Sequence, residues 1–110
     1  MISQSEALEA LYRVKDPELG MNIVDLGLVY GLVLDDEAQE VRIDLTLTSP
    51  GCPFGPELIR AIKRELEALD PGMAVDVDLV WKPLWNPSMM SEFAKDELGY
   101  DEELGLNLGY

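Results

Sequence analysis

The sequence holds a single cysteine and no histidine in 110 residues, so thiolate chemistry of any kind has one place to occur, Cys52. That residue lies in Ser49-Pro50-Gly51-Cys52-Pro53-Phe54-Gly55, a breaker-rich loop between a strand pattern and a helix pattern. Amide groups at a helix N-terminus favour negative charge, so a thiol placed there is biased toward thiolate, the form that attacks electrophiles and binds soft metals. A lone cysteine reads equally as a small buried hydrophobe, and these residues alone leave both readings open. With no imidazole to act as its base, a catalytic thiol is disfavoured, and no enzyme is expected. One cysteine builds neither a zinc site within one chain nor an internal disulfide, which points to a reducing, cytoplasmic setting.

Three acids, Asp16, Glu18 and Asp25, bracket the entry to the first expected strand. They are candidates for hard ligands or for partners that orient a loop near Cys52. Glu18 reads more simply as a solvent-facing carboxylate, and Asp16, before Pro17, as a turn residue. Asp25 falls inside an apparent apolar strand, where an unpaired carboxylate would be costly. Trp81-Lys82-Pro83-Leu84-Trp85 forms an aromatic and proline cluster at the end of the last main strand. Trp81 continues a core stripe, whereas Trp85 lies beyond it as the better cleft wall.

Composition excludes further classes. Lys plus Arg number 8 against 22 Asp plus Glu, a formal charge of −14, which repels phosphate backbones and argues against nucleic acid. The longest apolar run, Leu26 to Leu34, spans 9 residues, short of the ~20 that cross a bilayer. The N-terminus carries acids rather than a basic segment, so no secretory signal is expected. Hydrophobic residues at 47% are too many for a disordered chain.

The elements that must position these groups follow from periodicity. Ser3 and Glu6 form a capping-box pair for a helix running to about Val14, with Ala7, Leu8, Leu11 and Tyr12 at helical spacing, ended by Pro17. From Ile23 to Leu34 the period is two, with Leu26, Leu28, Tyr30, Leu32 and Leu34 on one face and Asp25, Gly27, Val29, Gly31 and Val33 on the other. A second strand puts Val41, Ile43, Leu45 and Leu47 opposite Arg42, Asp44, Thr46 and Thr48, making a hairpin. Pro56 suits the first turn of a helix buried through Leu58, Ile59, Ile62, Leu66 and Leu69 and stopped by Asp70-Pro71-Gly72. Val75 to Trp81 forms a third strand, parallel to the second. Asn86-Pro87-Ser88 opens a third helix, Met89 to Leu98, closed by Gly99. The expected fold is a single α/β (α+β) domain, α-β-β-α-β-α, with a three-stranded mixed sheet and helices packed on its apolar face. It occupies residues 1–99, and residues 100–110 form an acidic Leu/Gly tail. One extended face of that tail is apolar, so the tail is expected to pack on its own domain or a neighbouring subunit.

Four pieces in order carry a resemblance: D-P-E at Asp16 to Glu18, I-V-D-L-G-L-V at Ile23 to Val29, L-T-x-x-G-C-P at Leu47 to Pro53, and W-x-P-x-W with M-S at Trp81 to Ser91. Over residues 5–99 the chain resembles the small iron–sulfur cluster assembly family that includes SufT and the phenylacetate-pathway protein PaaD. The resemblance implies an α/β helper in iron–sulfur maturation. Cys52 matches its characteristic cysteine, and Asp16, Glu18 and Asp25 its acidic positions. Thr48 and Gly51 match the loop, and Trp81 and Trp85 the aromatic end. Leu19-Gly20-Met21 departs from the more usual apolar-Pro-Val. The PaaD-like cysteine-rich C-terminal segment has no counterpart here, which favours general maturation over a dedicated oxygenase pathway.

A cluster normally takes four protein ligands, and one chain supplies one thiolate. Any iron–sulfur cluster held here is expected to be labile, with none tightly bound, and a homodimer would supply two thiolates. The apolar flanks of the first strand, Val29 and Val33, also suggest a dimer. The expected partners are the iron–sulfur assembly machinery and apo-client proteins. The alternative is a protein-interaction adaptor whose cysteine is structural and which carries no cluster. The loop-to-helix setting predicts that the Cys52 thiol titrates below the free value of ~8.5. Alkylation rate against pH measures this, and a midpoint at or above the free value in folded protein counts against it.

Overall fold

The computed structural model describes residues 2–51, 53–101 and 105–106. The first helix, α1 (Gln4–Tyr12), opens on the expected capping box: the Glu6 N–H donates to Ser3 Oγ (3.1 Å) and the Ser3 N–H donates to Glu6 Oε1 (3.0 Å). It buries Ala7, Ala10 and Leu11, while Leu8 and Tyr12 stay exposed. The helix stops well before Pro17. The Arg13 and Val14 amides tighten back onto Ala10 and Leu11, and the chain then enters a small antiparallel closure. In it Lys15 bridges Asn22, Ile23 N–H donates to Val14 O (2.9 Å) and Asp16 N–H to Met21 O (2.9 Å).

The first strand is shorter than its alternation suggests. Residues 23–27 form successive turns, closed by Leu26 N–H to Asn22 O, Gly27 N–H to Val24 O and Leu28 N–H to Ile23 O. Strand β1 is Val29–Asp35. Gly27 takes φ +77, and a Cβ there would meet Met89 O at 2.5 Å, so both the turn and the neighbouring segment require glycine. Leu26 and Leu28 are fully buried as a strand face would be, but so is Ile23, which alternation puts on the opposite face. Asp25 therefore lies in a turn, not in a strand.

Strands β1 and β2 (Glu40–Leu45) pair antiparallel, and β2 pairs parallel with β3 (Ala74–Leu79), giving the order β1-β2-β3. Val29 lies opposite Leu45 and Gly31 opposite Asp44, leaving Tyr30 without a partner. This bulge reverses the alternation. Val29 joins Leu32 and Leu34 on the helix-covered face, and Tyr30 leaves it. The expected two-faced apolar surface of β1 thus reduces to Val33, which is 60% exposed. In β2, Val41, Ile43 and Leu45 are completely buried as expected; Thr46, just past the end of the strand and expected on its polar face, is completely buried too.

Helix α2 (Gly55–Leu69), with proline in its first turn, links β2 to β3 and buries Leu58, Ile62 and Leu66. β3 ends at Leu79 rather than Trp81. The expected third helix is two pieces: a 3-10 turn, Pro87–Met89, capped by the Asn86 side chain, and α3 (Glu92–Leu98), capped by the Ser91 side chain. Met90 and Ser91 between them are extended, because Met90 is buried and the Ser91 N–H donates to Asp25 O (2.8 Å). Gly99 closes α3 in the left-handed conformation. Beyond it β4 (Tyr100–Asp101) pairs antiparallel with β5 (Gly105–Leu106). Tyr100 packs against the core, and Lys95 Nζ lies 5.7 Å from its ring centroid. The expected packing of the tail's leucines falls on side chains outside those described.

Gly27→Ala is expected to cost about 2–4 kcal/mol, from the left-handed backbone and the clash with Met89. Gly51→Ala, whose Cβ would meet nothing within 4 Å, should change stability by less than about 0.5 kcal/mol. Urea unfolding of the two variants measures the difference.

Candidate functional site

Parallel pairing brings the C-terminal ends of β2 and β3 to one edge of the sheet. There Thr46 N–H donates to Leu28 O (2.8 Å) and Val80 N–H to Leu45 O (2.9 Å). From this edge the chain runs through Leu47, which is buried, and Thr48, which is half-buried, into exposed Ser49, Pro50 and Gly51. It returns through Pro53 and Phe54 to α2. A Cβ on Gly55 would lie 3.1 Å from Leu47 Cδ1, so the two ends of this loop meet closely. Cys52 itself lies outside the described residues. The start of α2 has no side-chain cap, and its first turn carries Pro56 and the acid Glu57, so the helix dipole there is partly offset by a carboxylate.

The acids divide by role. Asp16 is completely buried, and its Oδ1 accepts from Glu18 N–H (2.7 Å) and Leu19 N–H (3.2 Å). Its carbonyl accepts from Gly20 N–H (2.7 Å). This is the turn residue the sequence suggests, yet its Oδ2 has no hydrogen-bond partner. Glu18 is exposed. Asp25 is half-buried and not unpaired: its Oδ2 accepts from Asn22 Nδ2 (2.7 Å), and its N–H donates to Asn22 Oδ1 (2.8 Å). Asn22 was missed in sequence; its position three residues before Asp25 is the signal of a side-chain turn.

The aromatic end is tied to these turns. Trp81 and Trp85 are both half-buried and both pack against the core, so the expected distinction between a core and a cleft-wall tryptophan does not appear; Trp85 Nε1 donates to Leu26 O (2.7 Å). Tyr30, released by the bulge, donates its hydroxyl to Pro83 O (2.7 Å). Segments 22–30 and 81–91 are therefore stitched together by four contacts of different kinds: Asp25–Ser91, Leu26–Trp85, Gly27–Met89 and Tyr30–Pro83. Between β1 and the second segment lies a cavity of about 530 Å³, bounded by Tyr30, Asp44, Val80, Lys82 and Met89. Strict alternation hid it by placing Tyr30 among the leucines. Thr46 is a further residue the sequence did not single out: its buried Oγ1 has no partner. Among the described residues, no group of three or more His, Cys, Asp or Glu is placed to hold a metal ion, and no helix is long and apolar enough to cross a membrane.

These features define a small α/β domain that carries its cysteine loop between a central strand and an uncapped helix. The chain belongs to the iron–sulfur cluster assembly protein family, whose model matches residues 4–79. It is 48% identical over 86 residues to the Fe-S protein maturation auxiliary factor SufT of Staphylococcus aureus (strain USA300), spanning 78% of this chain and 97% of that protein. The Fe-S protein maturation auxiliary factor YitW of Bacillus subtilis (strain 168) is 43% identical over 90 residues, 82% of this chain and 87% of YitW. A crystal structure of a domain of unknown function from Bacillus anthracis superposes with a TM-score of 0.82 at 36% identity, covering 89% of this chain and 92% of that one.

Trp85→Phe keeps an aromatic side chain, smaller than the indole, but leaves Leu26 O without its donor, and is expected to cost about 1–3 kcal/mol. Asn22→Ala removes both side-chain bonds to Asp25 and should cost a similar amount. Thermal or denaturant unfolding measures both, and an unchanged midpoint in either would show that water replaces the bond.

Proposed function

We propose that this protein is an auxiliary factor in iron–sulfur protein maturation, carrying a cluster transiently or assisting its transfer to client proteins through Cys52. The observation that carries this reading is the loop itself. The sole thiol of the chain is borne between β2 and α2, three residues before a helix start that no side chain caps. Helix dipoles at that point favour the thiolate needed to ligate iron. Family membership and similarity to two maturation auxiliary factors support the same role.

The cluster is cargo in this reading. One thiolate is far short of the four ligands a cluster normally takes. The remaining positions would come from a second copy of the chain, small thiols or the recipient protein. Incomplete ligation makes the cluster easy to release, which suits handover better than storage. The partners are then assembly proteins and apo-clients in a reducing compartment, where a lone thiol stays free. Asp16, Asn22 and Asp25 shape the neighbouring turns through backbone hydrogen bonds, so their role is to position rather than to ligate. Trp85 acts alike by holding residues 81–85 against that frame.

Anaerobic incubation with iron and sulfide should produce visible absorbance in the wild type that is lost in Cys52→Ala. No absorbance under any loading condition, with client binding retained by Cys52→Ala, would overturn this reading and favour an adaptor with a structural cysteine.

A further inference from the structure

The chain has 8 cations among 22 acids, and three of those cations line one cavity. Helix α2 carries Glu57, Arg60 and Arg64 at spacings of three and four residues, which place side chains along one helix face. Facing them are Lys15 and Pro17, from the closure that follows α1. With Leu58 they bound a cavity of about 380 Å³, inside the range of roughly 300–1,000 Å³ that small-molecule sites occupy. Leu58 is 1% exposed, so the cavity stands on the packed core.

Three of the other five cations have acidic partners: Arg13 with Glu65 (3.0 Å), Arg42 with Asp78 (2.7 Å) and Lys95 with Glu92 (3.6 Å). Among the described residues, no ion pair joins Lys15, Arg60 or Arg64 to an acid. One carboxylate, Glu57, stands with the three cations and leaves the lining net positive. Converging unpaired cations repel one another, and an anion between them removes that repulsion. Two guanidinium groups add planar donors that match carboxylate or phosphate oxygens in pairs.

We propose that this cavity binds a compact multivalent oxyanion, a small polycarboxylate or a phosphate-bearing molecule. Compactness follows from the charge distribution. The field of the three cations is screened beyond about 8 Å at physiological ionic strength. Past that reach the protein is a surface with a large excess of acid, so a long acidic peptide or a nucleic-acid strand would lie across repelling groups. None of the cavity's lining residues belongs to the loop 49–54, and Cys52→Ala should bind the anion as the wild type does.

Calorimetric titration of the full chain with citrate, and separately with pyrophosphate, tests this and separates the carboxylate from the phosphate source. Binding of at least one is expected, weakened about tenfold by Arg60→Gln and by Arg64→Gln, as for loss of a charge-assisted hydrogen bond. Arg42→Gln, outside the cavity, should leave affinity unchanged. Glu57→Gln should tighten binding severalfold, an effect that misfolding cannot produce. Absence of binding by both anions, equal weakening by Arg42→Gln, or binding of poly-glutamate alone would overturn the proposal.

Discussion

Strand β2 is hydrogen-bonded along both edges, and its inward side chains Val41, Ile43 and Leu45 are completely buried. Burying side chains of this kind contributes roughly 1.5–3 kcal/mol each, so this strand has the strongest reason to hold one register. Its parallel pairing with β3 requires a crossover, which α2 supplies while covering the same face through Leu58, Ile62 and Leu66. Both strands then finish at one edge, where Leu28 and Val80 also arrive. The loop that bears the cysteine leaves from that edge, the one on which open α/β sheets commonly place their ligands.

A second tier of structure depends on polar turns rather than on the sheet. Asp16 organises its turn through two backbone amides, and the Asn22–Asp25 pair organises the next. Asp25 also receives the Ser91 amide at its carbonyl, and Leu26 receives the Trp85 indole. Irregular backbone is tolerated near a core only when its polar groups find such partners. Of the carboxylates that look like ligands in a sequence, Asp16 Oδ1 and Asp25 Oδ2 accept from amides and so serve geometry. The partnerless oxygens of Asp16 and Thr46 are exceptions to that satisfaction. They are the buried polar atoms with least stake in the turns as they stand.

Much of this arrangement was legible in the sequence where the cause is local. The capping box at Ser3 and Glu6, the proline opening α2, the Asp70-Pro71-Gly72 stop and the Gly99 cap each depend on residues a few positions apart. So does the alternation of β2, whose buried residues Val41, Ile43 and Leu45 recur at every second position. The order of elements followed from these signals, as did family membership from four short motifs in series.

What only the tertiary structure decided involves partners distant in the chain. The segment from Ile23 to Leu28 alternates like a strand, but Gly27 must admit the backbone of Met89, and Asp25 must meet Ser91. That approach turns the chain where periodicity expects extension. The bulge at Tyr30 depends on the β2 register, and one unpaired residue suffices to exchange two faces. The helix expected from Met89 to Leu98 breaks because Met90 is drawn into the core. The cationic cavity joins Lys15 to residues more than forty positions away on α2. Sequence determines what each residue prefers among its neighbours in the chain, whereas the meeting of distant surfaces is settled only when they pack.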